Sequence, residues 1–573
     1  MFSRTSIEFN AFPLSYKFNF QKELPNLSHQ LMPSLRKRMQ SYFFEKPESF
    51  PDLLFMLLRY LFLLIFLWIF VNVCFLNSSS MYLFNMPLSM VIAGVVLIIL
   101  FSLIYQLKEY GKTHVGFSTF LYKYNAFIAV IGLLLLFVFQ FVLAQAIYRP
   151  IGWDCGAIVK CAVKGDLTSE RFYFSTYPNN LLMFCLLKNL LSVFFYFGGK
   201  NYWLFLSIVN IILVDTTIYL VFALCKKLFG LACGFTSYVL FILIFGLSPW
   251  LTVPYSDTFA MAFSPLVILF FVKFQETNKL FAKGVLLFFI GFVSIIAFYI
   301  KPYTLIVLIS IFIYLLVHSI NSIKKIGVFV IASLLILIGT SSSLLLYNIT
   351  IKGPYSNILD YSESLPMSYY FMMGLNTVTS KGTGKTLYGS YSGEDNLFAY
   401  SLPTQQAKQK ETLRVAMDRI KTYTPRGYAR FLSNKANWVF SDGTFWVEGE
   451  GYDVEQPSVS TTGFSKWIQS YFRFYGTHYS SFANLAQGIW VILLFLLICP
   501  LFNNSDDYKK SIVNILRIAI LGFLLYQLLF EARSRYIITV LPVIIILSTC
   551  GFSHFHENFY SYQDNNTTTK KEM

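Results

Sequence analysis

Asp154 lies in the run Gly152-Trp153-Asp154-Cys155-Gly156, a few residues beyond the end of a long apolar stretch. A carboxylate so placed can take the proton of a hydroxyl as a general base, or it can cap a helix over 156–164; both readings stand on the residues alone. Asp257, in Pro254-Tyr255-Ser256-Asp257, repeats the choice between a supporting acid and the N-cap of the apolar stretch that starts at 258. Asp166 and Glu170 are the nearest further acids to Asp154. Three cations stand at the ends of other apolar stretches: Lys301, before Pro302, and Arg533 and Arg535, in Glu531-Ala532-Arg533-Ser534-Arg535. Cations in such places suit phosphate, arginine above all because its planar fork meets two oxygens at once. The alternative is a side chain that reaches out to lipid headgroups.

The elements that must position these groups are membrane helices. Of 573 residues, 56% are hydrophobic and only 13% charged, where a soluble domain carries roughly 25% charged residues. Mean hydropathy is +0.57. This excludes a disordered chain, a coiled-coil rod and an ordinary soluble enzyme. The net charge of +16 comes from lysines flanking apolar stretches, with no basic, aromatic-interleaved stripe, so no nucleic-acid partner is expected. The 8 cysteines show no metal-binding spacing; only Cys155 and Cys161 lie close, either as a bridge or as two free thiols. No cleavable signal is expected at the N-terminus.

Stretches long enough to span a bilayer fall at about 53–75, 84–106, 124–147, 203–224, 230–250, 258–274, 280–299, 303–318, 325–347, 486–503, 511–529 and 536–552. A further apolar stretch, 180–197, decides the topology. Arg36, Lys37 and Arg38 put the N-terminal segment in the cytoplasm. If 180–197 does not cross, Lys226/Lys227, Lys279/Lys283, Lys324/Lys325 and Lys509/Lys510 all fall inside as well; if it crosses, all fall outside. Lys188 and Asn189 at its centre are expensive in hydrocarbon. The stretch is therefore expected to lie on the outer surface as an amphipathic helix.

The expected architecture is an all-α polytopic membrane protein of about 12 transmembrane helices, with an outer interfacial helix and a small, mainly helical extracytoplasmic domain. Residues 1–50 form a cytoplasmic segment, and 51–347 a transmembrane module with first outer loop 148–202. Residues 348–485 form the extracytoplasmic domain, 486–552 the last transmembrane helices and 553–573 a cytoplasmic tail that ends disordered. Within the outer domain, helices are expected over 408–422 and from Thr424-Pro425 to about 437, with turns at 382–385 and 448–452. Arg414, Arg419, Arg426 and Arg430 read as the solvated face of those two helices.

A secondary transporter places ionisable residues in mid-span. Here Asp215 is the main one, and the other charges gather at span ends on one face, which suggests chemistry at that face on a lipid-anchored substrate. The layout resembles the GT-C superfamily of multi-pass glycosyltransferases, the clan of protein O-mannosyltransferases and lipid A aminoarabinose transferases. The resemblance covers about 150–545 and rests on Asp154 as the acidic motif of the first outer loop and on the interfacial helix. It rests further on Tyr177-Pro178-Asn179-Asn180, Pro254-Tyr255-Ser256-Asp257, Lys301-Pro302, Met372-Met373-Gly374-Leu375-Asn376 and Glu531 to Tyr536, which are similar to bacterial, mostly Gram-positive, members. Many members carry two adjacent acids where Asp154 stands alone, and Tyr369 stands where a histidine is expected.

The resemblance implies a plasma-membrane enzyme with its site facing outside. It would move a sugar from a polyprenyl-phosphate donor to a glycan or protein acceptor of the cell envelope, with inversion. Asp154 would be the base, supported by Asp257, Glu170 or Asp166. Lys301, Arg533 and Arg535 would hold the lipid phosphate, and Tyr177, Asn179, Asn180, Tyr255, Tyr369 and Asn376 would line the substrate site. No cofactor is required and no metal ligand set is evident, with a divalent cation at Asp154 and Asp257 left open. The competing expectations are a polysaccharide polymerase or ligase using the arginines of the long outer segment, and a lipid-linked sugar flippase or transporter.

Overall fold

A computed structural model of the chain describes residues 47–75, 84–379, 384–447, 461–499 and 507–569. The N-terminal segment before 47 and the turn expected at 448–452 lie outside the described residues. Within them, twelve helices are long and apolar enough to cross a membrane. By length and composition alone these include Pro178–Tyr196, and Leu231–Gly246 falls short. Hydrogen bonds at the helix ends reverse both assignments.

Tyr148 closes the helix Val115–Ile147, and Asn201 caps the helix Tyr202–Phe229. The Asn201 amide donates to the Tyr148 hydroxyl at 2.5 Å, so the chain between them leaves and re-enters the bundle at one face. Were Leu181–Tyr196 to cross alone, its 16 residues would separate those ends by ~24 Å. It lies along the face instead, as the charge pattern predicts. Leu181, Phe184, Leu187 and Leu191 are buried, and the helix packs mainly on the amphipathic helix Trp153–Lys164. Val193, Tyr196 and Phe197 are exposed, and Lys188 reaches the Tyr355 hydroxyl at 3.4 Å.

The short helix does cross. At one face Lys226 donates to Asn125 at 2.7 Å, and at the other the Tyr255 hydroxyl donates to Asp154 at 3.2 Å. The chain between Lys226 and Tyr255 must run from face to face. It does so through Leu231–Phe241, a wider π turn over Ile242–Gly246 and a 3-10 turn over Pro249–Thr252. The Gly246 carbonyl in the π turn accepts a hydrogen bond from Gln140 at 3.0 Å, and Gln140 also donates to Asp215 at 3.0 Å. The charge in mid-span is thus held by a neighbouring helix.

The remaining crossings alternate between the same two faces. Lys227 pairs with Glu276 at 2.8 Å, and Tyr314 meets Ser511 at 2.6 Å; both contacts lie at the lysine-bearing face. Leu280–Ile300 and Ile323–Tyr347 pack closely because Gly291 faces the Ile336 carbonyl and Gly339 the Phe288 carbonyl. A Cβ at either glycine would sit 2.1 or 2.0 Å from that oxygen. The last crossing, Ser534–Ser553, is the most enclosed, with Leu541, Ile544, Ile545 and Leu547 fully buried. Its helix continues to Thr569, into the tail that the sequence predicts as disordered at its end.

The long segment between Tyr347 and Tyr479 is mainly helical and docked on the face that carries Asp154. Thr404 caps Gln405–Thr422, and Thr424 caps Pro425–Phe440, which begins with proline where no backbone donor is needed. Thr377–Thr379 and Thr386–Tyr388 add an antiparallel hairpin with Thr377 opposite Tyr388, bracketing the turn expected at 382–385, of which 384–385 are described. Arg419 is not on a solvated face. It donates twice to Asp395, at 2.9 and 2.6 Å, and to the Met372 carbonyl at 2.7 Å, pinning its helix to Gly393–Ser401. Trp438 and Phe440 insert into the bundle: Trp438 donates to the Ala532 carbonyl at 2.9 Å, and Phe440 lies edge-on to Phe66.

Candidate functional site

A cavity of about 830 Å³ opens on this face, between the outer ends of the crossings and the docked domain. It is lined by Asp154, Lys301, Arg533 and Arg535 together with Tyr177, Asn179, Asn180, Tyr255 and Tyr369, residues drawn from five separate parts of the chain. Each reaches it for a local reason. Gly152 is the N-cap of Trp153–Lys164, and Asp154 falls in the first turn of that helix. Gly156 is required there, because a Cβ would meet the Ile151 carbonyl at 2.3 Å. Trp153 has φ 51, a left-handed conformation costly for a bulky residue, and its side chain is 64% exposed on the cavity lining. Pro302 forbids helix at Lys301, so that residue turns extended at the end of Leu280–Ile300 and its ammonium points inward.

The charges are arranged in two linked groups. Lys301 bonds Asp257 at 2.8 Å and Ser256 at 3.3 Å, and stands 5.1 to 5.6 Å from the ring centres of Tyr255, Tyr536 and Tyr303. Burial pushes the Lys301 ammonium below its ordinary pKa, and the Asp257 carboxylate opposes the shift. Arg535 lies over Tyr255 and Tyr536 at 5.4 and 5.3 Å. Arg533 contacts Glu531 at 3.3 Å and the face of Trp446 at 5.5 Å. Asp154 accepts from Tyr255, and the Tyr173 hydroxyl, which accepts from Asn180 at 2.6 Å, stands near it in the cavity lining. Tyr255 therefore touches the carboxylate with its hydroxyl while its ring faces Lys301 and Arg535.

The loop that presents Glu531 and the arginines is held from behind. Lys435, fully buried, donates to the carbonyls of Gly374 at 2.5 Å, Phe530 at 2.7 Å and Leu528 at 3.1 Å. Burial pushes its pKa down to about 7, with Glu531 pulling the other way. Gly374 admits this loop, because a Cβ there would lie 2.4 Å from the Leu529 carbonyl. The Met372 to Asn376 motif is thus scaffold. Asn376 is buried, donates to Asp395 at 3.1 Å and does not line the cavity.

Three further expectations are corrected. Asp166 bonds Thr168 in a surface turn, and Glu170 pairs with Lys160 at 2.6 Å; neither lines the cavity. Asp257 is fully buried beneath the cavity rather than lining it, with one oxygen accepting both Lys301 and the Tyr303 hydroxyl at 2.9 Å. It caps no helix with its side chain, and it faces Lys301 rather than sharing a cation with Asp154. Among the described residues no three His, Cys, Asp or Glu side chains gather as a metal would require. Cys155 and Cys161 are free thiols, Cys155 directed at the Pro254 carbonyl and Cys161 at Ser169.

The cavity also holds residues for which the sequence suggested no role in the site. Glu531 supplies a second carboxylate to the lining. Its place beside the arginines was the available signal. Tyr173, Tyr370, Tyr391, Asn396 and Tyr400 complete one wall, and no feature sets the four tyrosines apart among 38.

No curated protein and no solved structure matches the chain. One family does, over residues 44–555, a range that takes in all twelve crossings and the whole cavity: the chain belongs to the family described as conserved hypothetical integral membrane protein.

Proposed function

We propose that the protein is an inverting membrane glycosyltransferase that moves a sugar from a polyprenyl-phosphate donor to a cell-envelope acceptor. The observation that carries this reading is that Asp154 lines the same cavity as Lys301, Arg533 and Arg535. In this reading the donor's phosphate rests against the cations, and the acceptor hydroxyl approaches Asp154. The hydroxyl oxygen bonds to the anomeric carbon as that carbon's bond to the phosphate oxygen breaks. Asp154 takes the hydroxyl proton, and the lipid phosphate leaves with the bonding pair. Lys301, Arg533 and Arg535, all three buried, meet the charge that grows on the leaving phosphate, and preorganised buried cations act more strongly than solvated ones. Tyr255 orients the Asp154 carboxylate by donating to it.

The placement of the site outside the plasma membrane rests on charge. Lys226 and Lys227 lie at the face opposite the cavity, and lysine-rich faces are cytoplasmic. The acceptor is then a glycan or a protein of the envelope.

The test is purified protein in nanodiscs with a panel of radiolabelled polyprenyl-phosphate sugars, alongside envelope analysis of a deletion strain. Transfer from one of these donors, with loss of the same sugar from the envelope, is expected. Transfer only from an oligosaccharide diphosphate lipid would point to a polymerase, and movement of lipid-linked sugar without bond exchange to a flippase.

A further inference from the structure

One wall of the cavity differs in chemistry from the rest. Asn396 is its hub: the side-chain oxygen accepts from Tyr369 at 3.0 Å and Tyr177 at 3.5 Å, and the amide donates to Tyr391 at 3.1 Å. Tyr177 and Tyr400 join hydroxyls at 3.2 Å. Every hydrogen bond in this wall is between neutral groups. Burial raises the pKa of Tyr177, Tyr369 and Tyr391, so their phenols stay protonated and can donate as well as accept. The cations of the cavity cluster elsewhere, around Tyr255, Tyr536 and Trp446.

The two regions meet at Asp154. Tyr255 lies on its cation side. On the other side Tyr173 stands near Asp154 in the lining and packs its ring 5.4 Å from that of Tyr177, the first residue of the neutral wall. A group resting on that wall approaches Asp154 from the side away from the cations.

We propose that Tyr177, Tyr369, Tyr391, Asn396 and Tyr400 form the acceptor subsite, and that it takes an uncharged sugar ring. This rests on the transferase reading and narrows it to a neutral glycan acceptor. Aromatic faces suit the C–H side of a pyranose, and groups that both donate and accept match sugar hydroxyls, which do the same. A phosphate-linked polymer would bring anions to a wall whose foremost charged neighbour is the Glu531 carboxylate, ahead of Arg533, and would lose hydration with little repayment. A peptide would ask for backbone pairing, and the hairpin Thr377–Tyr388, the sheet of the described residues, does not line the cavity.

The experiment is a saturation-transfer NMR titration of the full chain in nanodiscs. The probes are the methyl glycosides of glucose, galactose, mannose and N-acetylglucosamine, each beside its 6-phosphate, and a serine-containing octapeptide. At least one neutral glycoside should bind, and its 6-phosphate should bind more weakly. Asn396→Ala should weaken that neutral glycoside about fivefold or more, the loss of roughly one hydrogen bond. Tyr400→Phe keeps the ring and should weaken it in the same direction, which carries the comparison if Asn396→Ala fails to fold. Absence of binding by every neutral glycoside, affinity unchanged by both variants, or tighter binding of a 6-phosphate or the peptide overturns the subsite. Sugar transfer from lipid donors is measured on the same preparations. Variant-sensitive glycoside binding without any transfer would reject the transferase and keep a glycan site, whereas transfer with variant-insensitive binding would reject the subsite and keep the transferase.

Discussion

Lys301 and Asp257 meet at 2.8 Å beneath the cavity, and both are buried. Removing one partner of such a pair leaves the other as an uncompensated charge, which costs about 3–5 kcal/mol. Lys301→Ala and Asp257→Ala are therefore each expected to lower thermal stability in detergent strongly. The double variant Lys301→Met with Asp257→Leu should recover much of it, because a buried ion pair is replaced by apolar volume. Recovery of stability without recovery of sugar transfer separates the structural part of Lys301 from its part in donor binding. A single variant as stable as the parent would show that the pair is solvated rather than buried.

Asp442 anchors the turn that carries Trp446 to Arg533. Its carboxylate accepts the Thr444 hydroxyl at 2.7 Å and the backbone amides of Thr444 and Trp446 at 2.8 and 2.6 Å. These bonds hold Phe445 and Trp446 at φ 54 and 51, a conformation that bulky residues avoid. Asp442→Asn sets an amide donor against at least one of these three donors, and is expected to destabilise by about 1–3 kcal/mol. Burial raises the Asp442 carboxyl to about 6, outweighing the hydrogen bonds that lower it. The folded state then holds this proton more tightly than the unfolded one does. The resulting stability is fully present below about 4 and lost as pH rises through about 6. Unfolding of parent and Asp442→Asn compared between pH 4 and 7 should show this slope in the parent and not in the variant.

The topology yields a separate test. Single cysteines at Lys227 and Lys510, in an otherwise cysteine-free chain, are expected to react with membrane-permeant reagents only, and one at Lys200 with impermeant reagent from outside. Labelling of position 227 from outside would mean that Leu181–Tyr196 crosses, against the Asn201–Tyr148 hydrogen bond.

The crossings were legible because hydrophobic length and lysine placement are one-dimensional signals. Lys188 marked the interfacial helix, and the lysine pairs required a crossing near 230–250 even though its regular helix is short. Asp154, Lys301 and the two arginines were legible because charges at span ends on one face are few. Asp166, Glu170 and Asn376 misled because nearness in sequence to a site residue does not set where a side chain points: each is held by Thr168, Lys160 or Asp395. Of the tyrosine wall Tyr177 and Tyr369 were read as substrate residues, but Tyr391, Asn396 and Tyr400 could not be, since the wall gathers from 173–177, 369–370 and 391–400 only once the outer segment docks. Arg419 escaped for the same reason, its partner Asp395 lying on a different helix.

The central claim is that Asp154 removes the acceptor's proton in a cavity that also holds a lipid phosphate. Asp154→Asn keeps the side chain's shape and its place beside Tyr255. Initial rates of sugar transfer, measured in nanodiscs on one lipid-phosphate donor for parent and variant at matched thermal stability, test the claim most directly. The account predicts a loss of about 10²–10⁴-fold with donor binding retained. Transfer by Asp154→Asn at near the parent rate would contradict it.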